Sequence, residues 1–261
     1  MKLKFIGRGS AFTTPEYFQS NMILIARSGK MMLIDCGGDV RFSAKQSNVS
    51  IENIHAVYIS HLHSDHIGGM EWIGFSTYFN PKLSKPLLFM EENHMQNIWE
   101  HGLKAGMEIV TDKLVTLSDY FECHPVKEGN SFEWEGIACT LIKMPHVVSE
   151  IKTHYSYGLL LREVDYSGAT VFISTDTQFQ YDEIINIGKK TNIIFHDCET
   201  SFFKTGVHAH YEDLCILPPE IKQKMWLYHY QPDPIHKPEQ DGFRGFVQRG
   251  QEFDFSNSTY I

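Results

Sequence analysis

Four residues able to bind a metal crowd into a six-residue stretch. The segment Ser-His-Leu-His-Ser-Asp-His-Ile-Gly-Gly, starting at Ser60, brings His61, His63, Asp65 and His66 together. It follows the apolar run His55–Ile59 and precedes an expected helix. In such a strand-to-helix turn the four side chains can converge on one point. Three imidazoles and a carboxylate suit a borderline metal such as Zn²⁺, and the ligand count favours two centres over one. An HxHxDH pattern arises by accident on the order of a few times per thousand chains of this composition.

Three further candidates lie at the ends of apolar runs. His146 follows Cys139–Met144 and Pro145, Asp176 ends V-F-I-S-T-D-T, and His229 ends M-W-L-Y-H-Y. Alone, each reads as a hydrogen-bonding turn or cap residue. Together with the first four they share one placement, the C-terminal end of a strand. A single metal site at one edge of a sandwich requires that placement.

The elements that must carry these residues are legible as short runs rich in β-branched and aromatic residues: Leu3–Ile6, Met22–Ala26, Met31–Ile34, Ala56–Ile59, Leu87–Met90, Ile137–Ile142, Tyr157–Leu161, Thr170–Ile173, Ile193–Phe195 and Trp226–Tyr228. Their length and composition predict strands. Helices are expected over His66–Phe79, Glu92–Leu103, Tyr181–Lys189 and Tyr211–Leu217, and His101–Lys113 reads as a loop able to cover a pocket. Without repeats, low-complexity tracts or linkers, the chain reads as one α/β (α+β) domain over residues 1–261, with mixed or mainly antiparallel sheets flanked by helices.

Composition narrows the function. The 261 residues carry a net charge of -9 and 14 histidines, which argues against a broad basic face for structured RNA. A small anionic substrate stays open, because bound cations reverse the local field. Cys36, Cys123, Cys139, Cys198 and Cys215 are scattered and odd in number, so a reducing cytoplasm is expected rather than a disulfide framework. The start, MKLKFIGRGSAF, has no apolar core of a signal peptide, and no apolar run is long enough for a membrane span.

F-I-G-R-G-S-A, L-I-D-C-G-G, H-L-H-S-D-H, P-H, S-T-D-T and L-Y-H-Y occur in this order along the chain. In this the chain resembles the metallo-β-lactamase fold superfamily. The resemblance implies a four-layer αββα sandwich with a dinuclear site, two Zn²⁺ per chain or Mn²⁺ or Fe²⁺ in their place. It implies that His61, His63 and His146 hold one metal, that Asp65, His66 and His229 hold the other, and that Asp176 bridges them. Asp35, in D-C-G-G, would support a ligand loop by hydrogen bonding.

Within the superfamily, the segment H-D-C-E-T-S-F-F…G-V-H-A-H-Y is similar to the phosphodiesterase branch that contains ribonuclease Z. The resemblance implies that His208, or His210 as alternate, protonates the departing 3′ oxygen, with Glu199 holding the imidazole. Asp65 would orient the attacking water. Ribonuclease Z enzymes often carry a basic arm after the position matching His146, where this chain has only V-V-S-E-I-K-T-H. Compact length, the missing arm and H-A-H-Y-E-D-L resemble the anti-Pycsar cyclic-nucleotide phosphodiesterases of phages and bacilli. That likeness implies hydrolysis of 3′,5′-cyclic mononucleotides, pyrimidine and purine, to 5′-monophosphates, countering an antiviral signal. It also implies a homodimer that engages no large nucleic acid or membrane, working in the cytoplasm, that of the host if phage-encoded. Phe12, Tyr17, Phe18 and Tyr155, expected in loops, would offer stacking surfaces for the base. The competing readings are a tRNA 3′-end endonuclease, a lactonase- or thioesterase-type hydrolase, and a non-enzymatic nucleotide-binding protein.

Overall fold

A computed structural model describes residues 1–165 and 168–256. In chain order the strands are β1 (Lys2–Phe5), β2 (Met22–Ile25), β3 (Met31–Ile34), β4 (Ile54–Tyr58), β5 (Leu87–Glu91), β6 (Ile109–Val110), β7 (Lys113–Leu114), β8 (Glu122–Val126), β9 (Ser131–Trp134), β10 (Ile137–Val148), β11 (Thr153–Glu163), β12 (Val171–Ile173), β13 (Ile193–Asp197), β14 (Met225–Tyr228), β15 (Gly245–Phe246) and β16 (Glu252–Asp254). They form two seven-stranded sheets, ordered β16-β1-β2-β3-β4-β5-β8 and β15-β14-β13-β12-β11-β10-β9, with β6 and β7 as a separate hairpin. Each sheet is half antiparallel and half parallel. In the first, β3, β4, β5 and β8 run parallel; in the second, β12, β13, β14 and β15 do.

The period-2 alternation of side chains sorts the core into three layers. Met22, Leu24, Met32, Ile34, Ala56 and Tyr58 meet Leu141, Leu159, Leu161, Ile173 and Phe195 between the sheets. Ile23, Leu33 and Val57 point the other way, onto the helices α1 (Val40–Gln46), α2 (Ser64–Ile67), α3 (Met70–Tyr78), α4 (Glu92–Ile98), α5 (Lys104–Met107) and α6 (Leu117–Tyr120). Phe172, Ile194 and Leu227 face α7 (Tyr181–Gly188), α8 (Tyr211–Leu214) and α9 (Pro219–Lys222). Helices outside, two sheets inside: the αββα sandwich is the observed fold.

Several expected boundaries shift for local reasons. The expected helix His66–Phe79 is broken at Gly68–Gly69. The Gly69 N–H bonds to Cys36 O at 2.8 Å instead of continuing the helix. A Cβ on Gly68 would stand 3.1 Å from the Gly38 backbone, so the D-C-G-G turn and the histidine loop pack glycine against glycine. The expected helix Glu92–Leu103 ends at Ile98 and continues as a π-helical turn over Trp99–Leu103. His101–Lys113 is not a loop. Leu103 and Met107, one turn apart, are buried against the first sheet's outer face, and the chain then enters the β6–β7 hairpin. Tyr211–Leu217 is helical only to Leu214. Val147, Val148, Thr153 and His154, expected in a connector, belong to the ends of the β10–β11 hairpin.

Candidate metal centre and its surroundings

Strands β4, β12, β13 and β14 lie in the parallel halves of the two sheets, and their C-terminal ends open on one edge of the sandwich. The turn after β4 carries His61 and His63, and the short helix α2 that follows carries Asp65 and His66; Asp176 follows β12, Asp197 ends β13 and His229 follows β14. His146 joins them from within β10, where the register shifts between Pro145 and Val147. Such a bulge re-aims a side chain. Asp35, Thr175 and His229 have φ of 59°, 53° and 64°, left-handed conformations that cost of order 1–3 kcal/mol each at non-glycine residues and cluster at functional sites.

The side chains form two groups joined by one carboxylate. His61, His63, His146 and Asp176 offer ligand atoms within 4.8 Å of one another, as do Asp65, His66, Asp176 and His229. His63 Nδ1 stands 3.1 Å from His61 Nε2 and 3.0 Å from His146 Nε2. Asp176 Oδ2 stands 3.2 Å from His66 Nε2 and 3.3 Å from His229 Nε2.

The opposite ring nitrogens fix the tautomers. His146 Nδ1 donates to Val207 O at 2.8 Å and His66 Nδ1 to Asp35 Oδ2 at 2.8 Å. Ser60 Oγ donates to Asp35 Oδ2, so it accepts from His61 Nδ1 at 3.0 Å. Ser20 Oγ donates to Gly9 O, so it accepts from His229 Nδ1 at 3.1 Å. In its neutral form each of these four rings therefore turns a lone pair at Nε2 toward the cluster. His63 Nδ1 can carry one hydrogen at most, so it cannot satisfy both His61 Nε2 at 3.1 Å and His146 Nε2 at 3.0 Å. Asp176 Oδ1 and His229 Nε2 are buried and find no hydrogen-bond partner among the described residues. A divalent cation in each group would satisfy this arrangement, and the donor set fits zinc-type ligation.

The electrostatics agree. Burial pushes His61, His63 and His146 below the ordinary imidazole value, toward the neutral form that binds a cation. Burial also opposes charge on His66, but Asp176, Asp65 and Asp35 outweigh it and hold that imidazole above its ordinary value. Burial would raise Asp65, yet His66 draws its carboxyl down to about 2. The cluster demands positive charge.

Beside it, His208 Nδ1 donates to Asp197 Oδ2 at 2.7 Å, and Asp197 also accepts from Thr177 N at 2.9 Å. Burial disfavours the imidazolium, but Asp197 more than offsets this and holds His208 up at about 9. Glu199, expected to be the partner of His208, is engaged elsewhere. Its carboxylate accepts from Ser201 Oγ at 2.7 Å and Thr205 N at 3.0 Å, closing the base of the loop that presents Val207 and His208. His210 is turned away as well: Nδ1 caps α8 by accepting from Glu212 N, and Nε2 donates to Ser201 O. Asp197 is the residue that sequence reasoning missed. Its signal was present: it ends the apolar run I-I-F-H-D as Asp176 ends V-F-I-S-T-D. Of the expected stacking residues, Tyr17 and Phe18 are buried beneath Arg8 and Arg249, Phe12 is fully exposed, and Tyr155 sits on β11 rather than in a loop.

Two mixed sheets between helices, with His and Asp side chains gathered at the strand ends, define a metallo-β-lactamase fold protein. Solved structures of similar architecture include YhfI from Bacillus subtilis, with a TM-score of 0.74 at 15% identity, covering 97% of this chain and 99% of that one. Human tRNase Z, short form, gives a TM-score of 0.71 at 16% identity, covering 98% and 100%. The chain belongs to the family described as Anti-Pycsar protein Apyc1, whose model matches residues 1–253. Relatives of that name include one from Paenibacillus xerothermodurans, 28% identical over 99% of both chains, and one from Paenibacillus harenae, 31% identical over 88% of this chain and 90% of that one.

Proposed function

We propose that this protein is a metal-dependent phosphodiesterase that opens 3′,5′-cyclic mononucleotides to 5′-monophosphates and so removes the messengers of Pycsar antiviral signalling. Membership of the Anti-Pycsar protein Apyc1 family supports the biological direction. The observation that carries the chemistry is Asp176, shared by two convergent ligand groups at one sheet edge.

In this reading His61, His63, His146 and Asp176 hold one divalent cation, and Asp65, His66, His229 and Asp176 hold the other, zinc or alternatively manganese or iron. When bound, the pair would supply Lewis acidity to a phosphodiester and acidity to a water. The chain's own residues do the rest. Asp35, Ser60, Ser20 and the Val207 carbonyl hold the ligand rings in one tautomer. Asp65 orients the attacking water. His208, charged on its Nδ1 side by Asp197, delivers the Nε2 proton to the departing 3′ oxygen, a role worth about 10²–10⁴ in rate. The negative net charge fits a compact substrate, since binding many phosphates requires many Lys and Arg. The chain is expected to work in the cytoplasm as a homodimer.

The test is incubation of metal-loaded protein with cyclic mononucleotides, bis-nucleotide messengers and pre-tRNA, with products separated by chromatography. The expected result is a 5′-monophosphate from cyclic mononucleotides. Brisk pre-tRNA cleavage with intact cyclic nucleotides would refute the reading.

A further inference from the structure

We propose that Gln178 is a positioning residue for the metal centre. Its side-chain amide latches the loop that carries Val207 and His208 onto the strand bulge that carries His146. Its part in the reaction rests on the phosphodiesterase reading, whereas its hold on the ligand rings can be measured without any reaction.

The loop between Glu199 and His208 is not held by burial. Phe202 and Phe203 both point into solvent. Polar contacts hold it instead. Glu199 closes its base at Thr205 N, and Lys204 Nζ meets Asp213 Oδ1 at 2.5 Å. Beyond these anchors the chain turns at Gly206, with φ of 78°, a left-handed conformation that glycine adopts without cost. The Gly206 carbonyl accepts from Gln178 Nε2 at 2.5 Å. The next carbonyl, Val207 O, accepts from His146 Nδ1, and the residue after it is His208.

Gln178 is fastened on its other side. It lies two residues beyond Asp176, and its backbone N–H donates to Pro145 O at 2.8 Å. Pro145 stands where the β10–β11 register shifts, immediately before His146. The neighbouring Thr177 N donates to Asp197 Oδ2 at 2.9 Å, the oxygen that also accepts from His208 Nδ1. Two consecutive residues therefore tie the segment after Asp176 to the bulge beneath His146, to the loop above it and to the carboxylate behind His208. Gly206 O can only accept, so only a donor at position 178 closes the latch. One such hydrogen bond shifts an equilibrium by about two- to tenfold. A loop released by that factor spends less time with His208 in line and with the His146 ring fixed, and misplacement of a catalytic group is lost rate.

The experiment compares Gln178→Met, Gln178→Glu and Gln178→Lys. These side chains are of similar length and offer, in turn, no donor, only acceptors when ionised, and a donor. Gln178 is partly exposed, so the three replacements leave the core untouched. Competition with a chromogenic chelator reads the metal affinity of the His61–His63–His146 group. At saturating metal, kcat on cyclic nucleotides is set against kcat on bis(4-nitrophenyl) phosphate. Gln178→Met and Gln178→Glu should weaken metal binding about two- to tenfold and lower kcat on cyclic nucleotides by a similar factor, with the nitrophenyl ester slowed less. Gln178→Lys should stay near wild type in both. An effect of charge alone would give the reverse order, since a carboxylate attracts the cation and an ammonium repels it. Losses in Gln178→Lys equal to those in Gln178→Met, or unchanged metal affinity in both Gln178→Met and Gln178→Glu, overturn the latch. The two readings fail separately. A wild type that leaves cyclic nucleotides intact, with metal binding weakened in Gln178→Met and Gln178→Glu but not in Gln178→Lys, keeps the latch and loses the reaction. A wild type that hydrolyses them, with one metal affinity across all variants, keeps the reaction and loses the latch.

Discussion

Asp197 Oδ2 and His208 Nδ1 lie 2.7 Å apart, one at the end of a buried strand and the other on the loop that follows it. The hydrogen bond joins a fully buried carboxylate to a ring with 17% of its side chain exposed, so one nitrogen is fixed and the other is left to meet substrate. His208→Ala should reduce kcat on cyclic nucleotides by about 10²–10⁴, and Asp197→Asn by a smaller factor in the same direction. Neither should slow bis(4-nitrophenyl) phosphate comparably, because its leaving group departs without a proton. Parallel rate measurements on the two substrates check this. Equal losses on both would remove the proton-donor role.

Glu199 and His210 make the contrasting case. Both are buried, and both are spent on the loop and the start of α8 rather than on the cluster. His210→Gln should keep kcat within about threefold while lowering thermal stability, by loss of a cap worth about 1 kcal/mol. A thousandfold loss of kcat in a stable His210→Gln protein would restore it as a proton donor.

The Asp35–His66 bond sets which nitrogen of His66 meets the cluster. Asp35→Asn should weaken binding in the Asp65–His66–His229 group by about 10–100-fold, with the other group less affected. Competition with a chromogenic chelator reads the two affinities. Asp176→Ala should lower metal content in both groups, and full occupancy in that variant would refute the bridging role.

Gly37 has no room for a methyl group. An added Cβ would stand 2.3 Å from the Asp65 backbone oxygen, inside the ligand loop itself. Gly37→Ala should cost about 1–3 kcal/mol in overpacking and should lower metal content as well. Denaturant titration and metal analysis of one sample test both halves.

Far from the site, Arg27 clamps Glu163 with Nε at 2.8 Å and Nη2 at 3.1 Å. Burial would raise the Glu163 carboxyl, but Arg27 and the Met1 ammonium outweigh it and hold it below its usual value of 4.5. A carboxylate with a lowered folded-state value stabilises the fold above its unfolded value, and that stabilisation is lost as pH falls through the folded one. Arg27→Met should therefore cost about 1–2 kcal/mol at pH 7. The difference from wild type should shrink in acid below the ordinary glutamate range. Urea denaturation at neutral and acid pH measures it; a difference that grows in acid would contradict the assignment.

The sequence alone determined the identity of the seven clustered residues and the edge on which they gather. That follows because strand alternation and the position after an apolar run are local properties, readable in H-L-H-S-D-H, S-T-D-T and L-Y-H-Y. Runs such as Met22–Ala26 and Met31–Ile34 predicted strands, and the resemblance carried by the motifs implied the sandwich they build. Tertiary structure decided the partnerships. Whether His208 rests on Asp197 or Glu199 depends on a turn of the chain that brings Thr205 N back to Glu199, which spacing does not encode. The break at Gly68 depends on the approach of a loop some thirty residues earlier in the chain. Residue types are fixed along one dimension, whereas hydrogen-bond partners are chosen among segments that meet only after the sheets have packed.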